Sequence, residues 1–130
     1  DESLVVSTRI EPASGYRAMN TFLDLAHPPT AIFFFHDLLA VDGLRAATER
    51  GVAVPQDIAI AGFEGLRSGL ITTPAITTIS QPLMEMGRLA VEILFSRIEE
   101  NNEKNDGPPT RLTVPVELVV RASTEFRDAD

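Results

Sequence analysis

The 130-residue chain is 44% hydrophobic, enough to bury a core as one domain of ordinary size. Its formal charge of −8, from 19 acidic against 11 basic residues with no local Lys/Arg cluster, would repel a phosphate backbone and argues against a nucleic-acid surface on this chain. The lack of cysteine removes disulfides, thiolate zinc sites and cysteine nucleophiles together. No apolar run approaches the ~18 residues that span a bilayer, and the acidic opening DESLVV does not resemble a signal peptide.

Leu4–Val6 reads as a first strand. After Pro12, the residues Tyr16, Met19, Leu23 and Ala26 recur at helical spacing until Pro28 and Pro29 forbid continuation. The run AIFFF at 31–35 is apolar at both parities, which predicts a strand buried on both faces. A second helix follows with Leu38, Val41 and Leu44 inward and Gly51 as its C-cap. IAIAGF at 58–63 is the third buried strand, and EGLRSGLITTPA at 64–75 is a loop broken by Gly and Pro. ITTIS at 76–80 is a short strand. From Pro82 to about Glu100 runs the longest helix, its apolar stripe made of Met86, Leu89, Ala90, Ile93 and Leu94. NNEKNDGPP at 101–109 is a polar turn, and the alternation from Leu112 to Val120 predicts an edge or final strand. Alternating β and α segments give an α/β class with a mostly parallel sheet. The start directly on strand-like residues suggests a piece of a longer protein.

In open α/β sheets, ligands lie beyond the carboxyl ends of parallel strands, where loops converge with free backbone groups. That rule nominates Thr8, Arg9 and Ile10 after the first strand, His36 and Asp37 after the second, and Phe63 and Glu64 after the third. Charged groups beside apolar surface suit a polar small molecule in a cleft. Each nominee also has a plain structural role open to it. Asp37 can cap the second helix, His36 and Glu64 can be solvated loop residues, Arg9 can pair with Glu11, and Ile10 and Phe63 can close the core. Catalysis and metal binding have less support. Adjacent His36 and Asp37 diverge at a strand-to-helix junction and do not make a triad base and orienter. GLRSG around Ser68 is not a nucleophile elbow, and the only other histidine, His27, lies at the far end of a helix, short of a zinc ligand set. GFEGLRSG matches no phosphate-binding loop.

Four segments in order carry a family resemblance: PTAIFFFHDLLAVDGLRAATERGVAVPQDIAIAGFEG, PAITTISQPLMEMGRLAVEILFSRI and LVVRAST, preceded by TRIEPASGY. Together, from about Thr8 to Thr124, they resemble the last part of the effector-binding core of the lactose-repressor family of bacterial transcription regulators. The resemblance implies a three-layer α/β/α sandwich with a mostly parallel sheet, of the type I periplasmic-binding-protein kind. Residues 1–130 would form a single domain, the C-terminal lobe, with helix 82–100 packing on an N-terminal lobe that precedes this chain. On that stripe, left without its usual cover, rests the expectation that the isolated chain self-associates or docks the helix elsewhere.

The resemblance implies effector contacts at Ile10, His36, Asp37, Phe63, Glu64 and Gln81. At Ile10 the family often has an aromatic residue; His36 stands where Asn is usual; Glu64 stands where Asp is usual. Asp37 and Gln81 match. A two-fold dimer contact is implied at Val41, Arg45, Ile71 and Thr72. The implied partners are a small-molecule effector (a sugar, sugar acid or nucleobase), a second copy of the protein, and operator DNA through a headpiece outside this chain, with no membrane, metal or cofactor and a cytoplasmic location. The rival is a periplasmic sugar-binding protein of a transporter, and VPQDIAIAGFEG with LVVRAST favours the regulator over it; an enzyme would need activity lost on changing His36 or Asp37 with folding intact.

Overall fold

The computed structural model describes residues 2–100 and 111–125. Two compact units emerge, one from the residues up to Ser80 together with those from Glu117, the other from Gln81–Val116. In the first unit the order is α1 (Ser14–Leu23), β1 (Ala31–Phe33), α2 (Asp37–Glu49), β2 (Ala59–Glu64), β3 (Thr77–Ser80) and β4 (Glu117–Val119), with 3-10 turns at Glu2–Leu4 and Arg67–Gly69. The strands form one sheet in the order β1-β2-β3-β4. β1, β2 and β3 are parallel, Ile32 opposite Ile60 and Phe63 opposite Ile79, and β4 closes the edge antiparallel with Ser80 opposite Glu117. The mostly parallel α/β architecture expected from the sequence is what the chain adopts.

The side chains that drive this unit together are apolar and spaced to suit it. Ala18, Met19 and Phe22 of α1, Ile32 and Phe34 at β1, Leu39, Ala40, Leu44, Ala46 and Ala47 of α2, Ile58 and Ile60 at β2, and Ile76 form one buried cluster. Met19, Leu39, Ile58, Ile60 and Ile76 are fully enclosed, and each contributes up to about 1.5–3 kcal/mol. Gly15 lets α1 settle on α2, since a Cβ there would lie 2.0 Å from the carbonyl oxygen of Leu39. The C-terminal RAST segment sews β2 to β3. Buried Ser123 donates from its hydroxyl to the Ile60 carbonyl at 2.6 Å and accepts the Thr77 amide at 2.8 Å.

The second unit contains α3 (Leu83–Glu100), followed at 111–116 by residues outside any helix or strand. Arg88 donates to Glu85 and to Glu92 along one face of α3. The hydrogen bonds from Arg88 hold the Glu85 carboxyl below its ordinary value. Of the expected apolar stripe, Leu89 and Ile93 are half-buried while Met86 and Leu94 are 40% and 57% exposed, and outside it Met84, Phe95 and Ile98 are also more than half exposed. No helix among the described residues is long and apolar enough to cross a membrane.

Four local expectations are corrected. Leu4–Val6 is not a strand: Glu2–Leu4 is a 3-10 turn, closed by the Val5 amide on the Glu2 carbonyl at 3.1 Å, because no ladder partner lies beside it. AIFFF is buried on one face only. Ile32 and Phe34 face the helices, whereas Phe33 and Phe35 are at least half exposed, because α1 and α2 both pack on the side of the sheet that carries Ile32 and Phe34. The inner face of α2 is Leu39, Ala40, Gly43 and Leu44 with Ala46 and Ala47, while Leu38 is exposed. Small residues form that face because the helix is drawn close to β2 and α1. The strand expected over Leu112–Val120 is confined to β4, since only residues opposite Thr78–Ser80 find a partner. The turn expected at 101–109 lies outside the described residues.

Candidate functional site

The carboxyl ends of β1 and β2 converge on three adjacent acids and bases. His36, in extended conformation, is the N-cap of α2: its Nδ1 accepts the Leu38 amide at 3.1 Å, satisfying one of the free donors of the first turn. The cap is therefore His36 and not Asp37, as the sequence suggested, because the chain turns helical one residue earlier. The other imidazole nitrogen, Nε2, lies 3.0 Å from Glu64 Oε2. Side-chain exposure is 11% for His36 and 35% for Glu64, so the pair is half sheltered with Glu64 toward solvent.

Asp37 occupies the first position of α2 and is fully buried. Its Oδ1 accepts the Thr78 hydroxyl at 2.7 Å and its Oδ2 accepts the Leu66 amide at 2.6 Å. Thr78 Oγ1 accepts in turn from the Gly65 amide at 3.2 Å. These bonds tie the turn after β2 to the start of α2. Short charge-assisted bonds of this kind are about twice as strong as neutral ones, and here they anchor the backbone just after Glu64, at Gly65 and Leu66. Gly62 makes the approach possible, since a Cβ there would lie 2.2 Å from Asp37 Oδ1. Glu64 itself has φ +105°, followed by Gly65 at +75°. A side chain held in that region is strained, and the bonded turn around it supplies the constraint.

Phe63 points to the other face of the sheet from Gly62 and meets Phe33 edge to face, with ring centres 6.5 Å apart at 82°. Of the residues nominated from sequence, His36, Asp37 and Glu64 form one cluster, whereas Phe63 meets Phe33 on the other face of the sheet. Ile10 is half exposed and lines a separate groove of about 320 Å³ with Pro12, Leu38 and Val41. Gln81 lies at the start of the second unit, where its carbonyl accepts the Leu83 amide at 2.9 Å. Thr78 and the amides of Gly65 and Leu66 were not foreseen. The one sequence signal for Thr78 is a polar residue in the middle of a buried strand. No cluster of three or more His, Cys, Asp or Glu side chains suited to a metal occurs among the described residues.

A sheet whose strand ends carry such a cluster can be compared with known folds directly. Residues 2–124 match the model of the periplasmic binding protein-like domain. The chain belongs to that family. Among curated proteins, it is 40% identical over 130 residues to the HTH-type transcriptional repressor PurR of Escherichia coli, covering 98% of this chain and 37% of the repressor. Among solved structures, the transcriptional regulator CelR in complex with cellobiose superposes with TM-score 0.84 at 32% identity over 95% of this chain and 36% of that one. A LacI family transcriptional regulator from Bifidobacterium animalis gives 0.78 at 33% identity, over 92% and 42% respectively. One from Lactobacillus casei with bound sucrose gives 0.71 at 26% identity, over 88% and 41%. These relatives are lactose-repressor-type transcription regulators, and the resemblance of the sequence to that family stands. This periplasmic binding protein-like chain spans 37% of the length of the curated repressors it matches.

Proposed function

We propose that this chain is the effector-binding and dimerisation portion of a bacterial transcription repressor, and that the cluster of His36, Asp37 and Glu64, together with Phe63, forms part of its small-molecule site. The observation that carries the reading is Glu64. A carboxylate at the end of a parallel strand, on a strained turn anchored by a fully buried aspartate, is a costly arrangement for a surface residue without a ligand. Relatives with bound cellobiose and sucrose support a sugar or a similar polar ring as the effector. Ile10 and Gln81 belong to the same proposal, and Asp37 serves it from behind, by fixing the turn that presents Glu64.

The intact regulator would be cytoplasmic, acting on operator DNA through residues outside this chain. α3 would pack on a further lobe, which its exposed apolar stripe favours. Effector contacts would shift the two lobes and so the DNA-binding part. The dimer contact proposed at Val41, Arg45, Ile71 and Thr72 is supported most by Ile71, 85% exposed on the loop before β3. Arg45 stacks over the Tyr16 ring at 4.9 Å and the Thr72 hydroxyl bonds the Gly69 and Pro74 carbonyls, which shape that surface.

The deciding experiment is a thermal-shift screen of the intact protein against neutral mono- and disaccharides, purine and pyrimidine bases, and sugar acids. A ligand present at about 100 times its Kd adds ~2.7 kcal/mol of stability. A rise in Tm with one class, lost in Glu64→Ala, supports the reading; no rise with any of them removes it.

A further inference from the structure

His36 has no free nitrogen. Nδ1 accepts the Leu38 amide, so the proton of the neutral ring sits on Nε2, which lies 3.0 Å from Glu64 Oε2. The helix cap thus fixes the tautomer and turns the proton-bearing nitrogen toward Glu64. What faces solvent is the rest of the Glu64 carboxylate, held by its backbone turn and by the Asp37–Thr78–Gly65 bonds beneath it.

We propose, resting on the effector reading above, that His36 determines specificity without touching the ligand. It is a positioning residue that holds Glu64 as a fixed, acceptor-only, negative edge. The ligand class this edge accepts is a neutral molecule bringing hydroxyl or ring N–H donors to it, a sugar or a nucleobase. A sugar acid that brings its carboxylate there meets like charge, with no donor of His36 left to offset it.

The test uses the intact protein with three variants: His36→Asn, Glu64→Gln and the double variant. Asparagine still caps the helix but is too short to hold Glu64. The probes are cellobiose, sucrose, adenine, guanine and gluconate. A neutral probe is expected to bind and gluconate not to. Glu64→Gln should weaken the neutral probe roughly tenfold or more. His36→Asn should weaken it severalfold while the unliganded Tm stays that of the parent, and the double variant should bind no more weakly than Glu64→Gln alone. Nitrogen NMR of His36 should show Nδ1 bare and Nε2 protonated. Gluconate alone raising the Tm leaves the effector reading standing and overturns this proposal, as does full additivity of the two losses or a protonated Nδ1. No rise with any probe overturns both.

Discussion

At Glu64 a Cβ-bearing residue is carried through φ +105°, which costs about 1–3 kcal/mol. Glu64→Ala and Glu64→Gly both remove the 3.0 Å contact with His36, but only the glycine variant relaxes the backbone. The glycine variant should therefore unfold at higher denaturant, by about 1 kcal/mol relative to alanine after its own greater chain entropy; equal midpoints would mean the turn is not strained. Asp37→Asn tests the bond set behind it. One carboxylate oxygen becomes an NH2 facing either the Leu66 amide or the Thr78 hydroxyl, both of which donate, so urea unfolding should show a loss of about 1–3 kcal/mol. A loss within the ±0.5 kcal/mol of ordinary surface changes would contradict the buried clamp. At this scale the strand-end rule named His36, Asp37 and Glu64, which the fold brings together, because the rule depends only on where apolar runs stop. It misassigned the cap and could not see Thr78, because which oxygen meets which amide depends on the close approach of β2 to α2, and local pattern carries no record of that.

The crossing of α1 and α2 turns on Gly15, whose missing side chain leaves room for the Leu39 carbonyl. Gly15→Ala would press a methyl against backbone, which cannot step aside as a side chain can. The expected cost is about 1–3 kcal/mol, read as a lowered denaturant midpoint. Gly87 in α3 is the control: nothing lies within 4 Å of a Cβ built there, and Gly87→Ala should not destabilise, gaining up to about 0.5–1 kcal/mol of helix propensity. If both changes behave alike, the packing account of Gly15 fails. Helices and buried strands were legible as periodicity and as unbroken apolar runs, which is why β2 and all three helices fell where expected. The buried face of α2 was not, since hydrophobicity favoured Leu38 and Val41 over alanines, whereas close packing against the sheet selects Ala40, Ala46, Ala47 and Gly43. Leu4–Val6 has strand-forming residues, but strand propensity without a neighbouring ladder gives no strand.

Taken as a whole, the chain sets a net charge of −8 against a large amount of uncovered apolar surface. On α3, Met84 is 89% exposed with Leu94, Phe95 and Ile98 also open; on the sheet, Phe33, Phe35 and Leu118 are open as well. Soluble monomers seldom leave contiguous apolar patches of more than a few hundred Å², and helix stripes of this kind bury themselves against whatever complementary face is present. The 130-residue chain by itself is therefore expected to associate, with a mass in sedimentation that rises with protein concentration and with bound hydrophobic dye. Charge repulsion opposes this, so adding salt should strengthen association by screening it. Replacing Met86 and Leu94 of the stripe with glutamate removes apolar surface and adds charge at positions that are already 40% and 57% exposed. Those variants should shift the chain toward monomer with the thermal midpoint of the first unit unchanged, since neither residue belongs to that unit. A parent chain that is monomeric at every concentration and salt, with little dye bound, would show that the stripe is covered in solution and would refute the expectation.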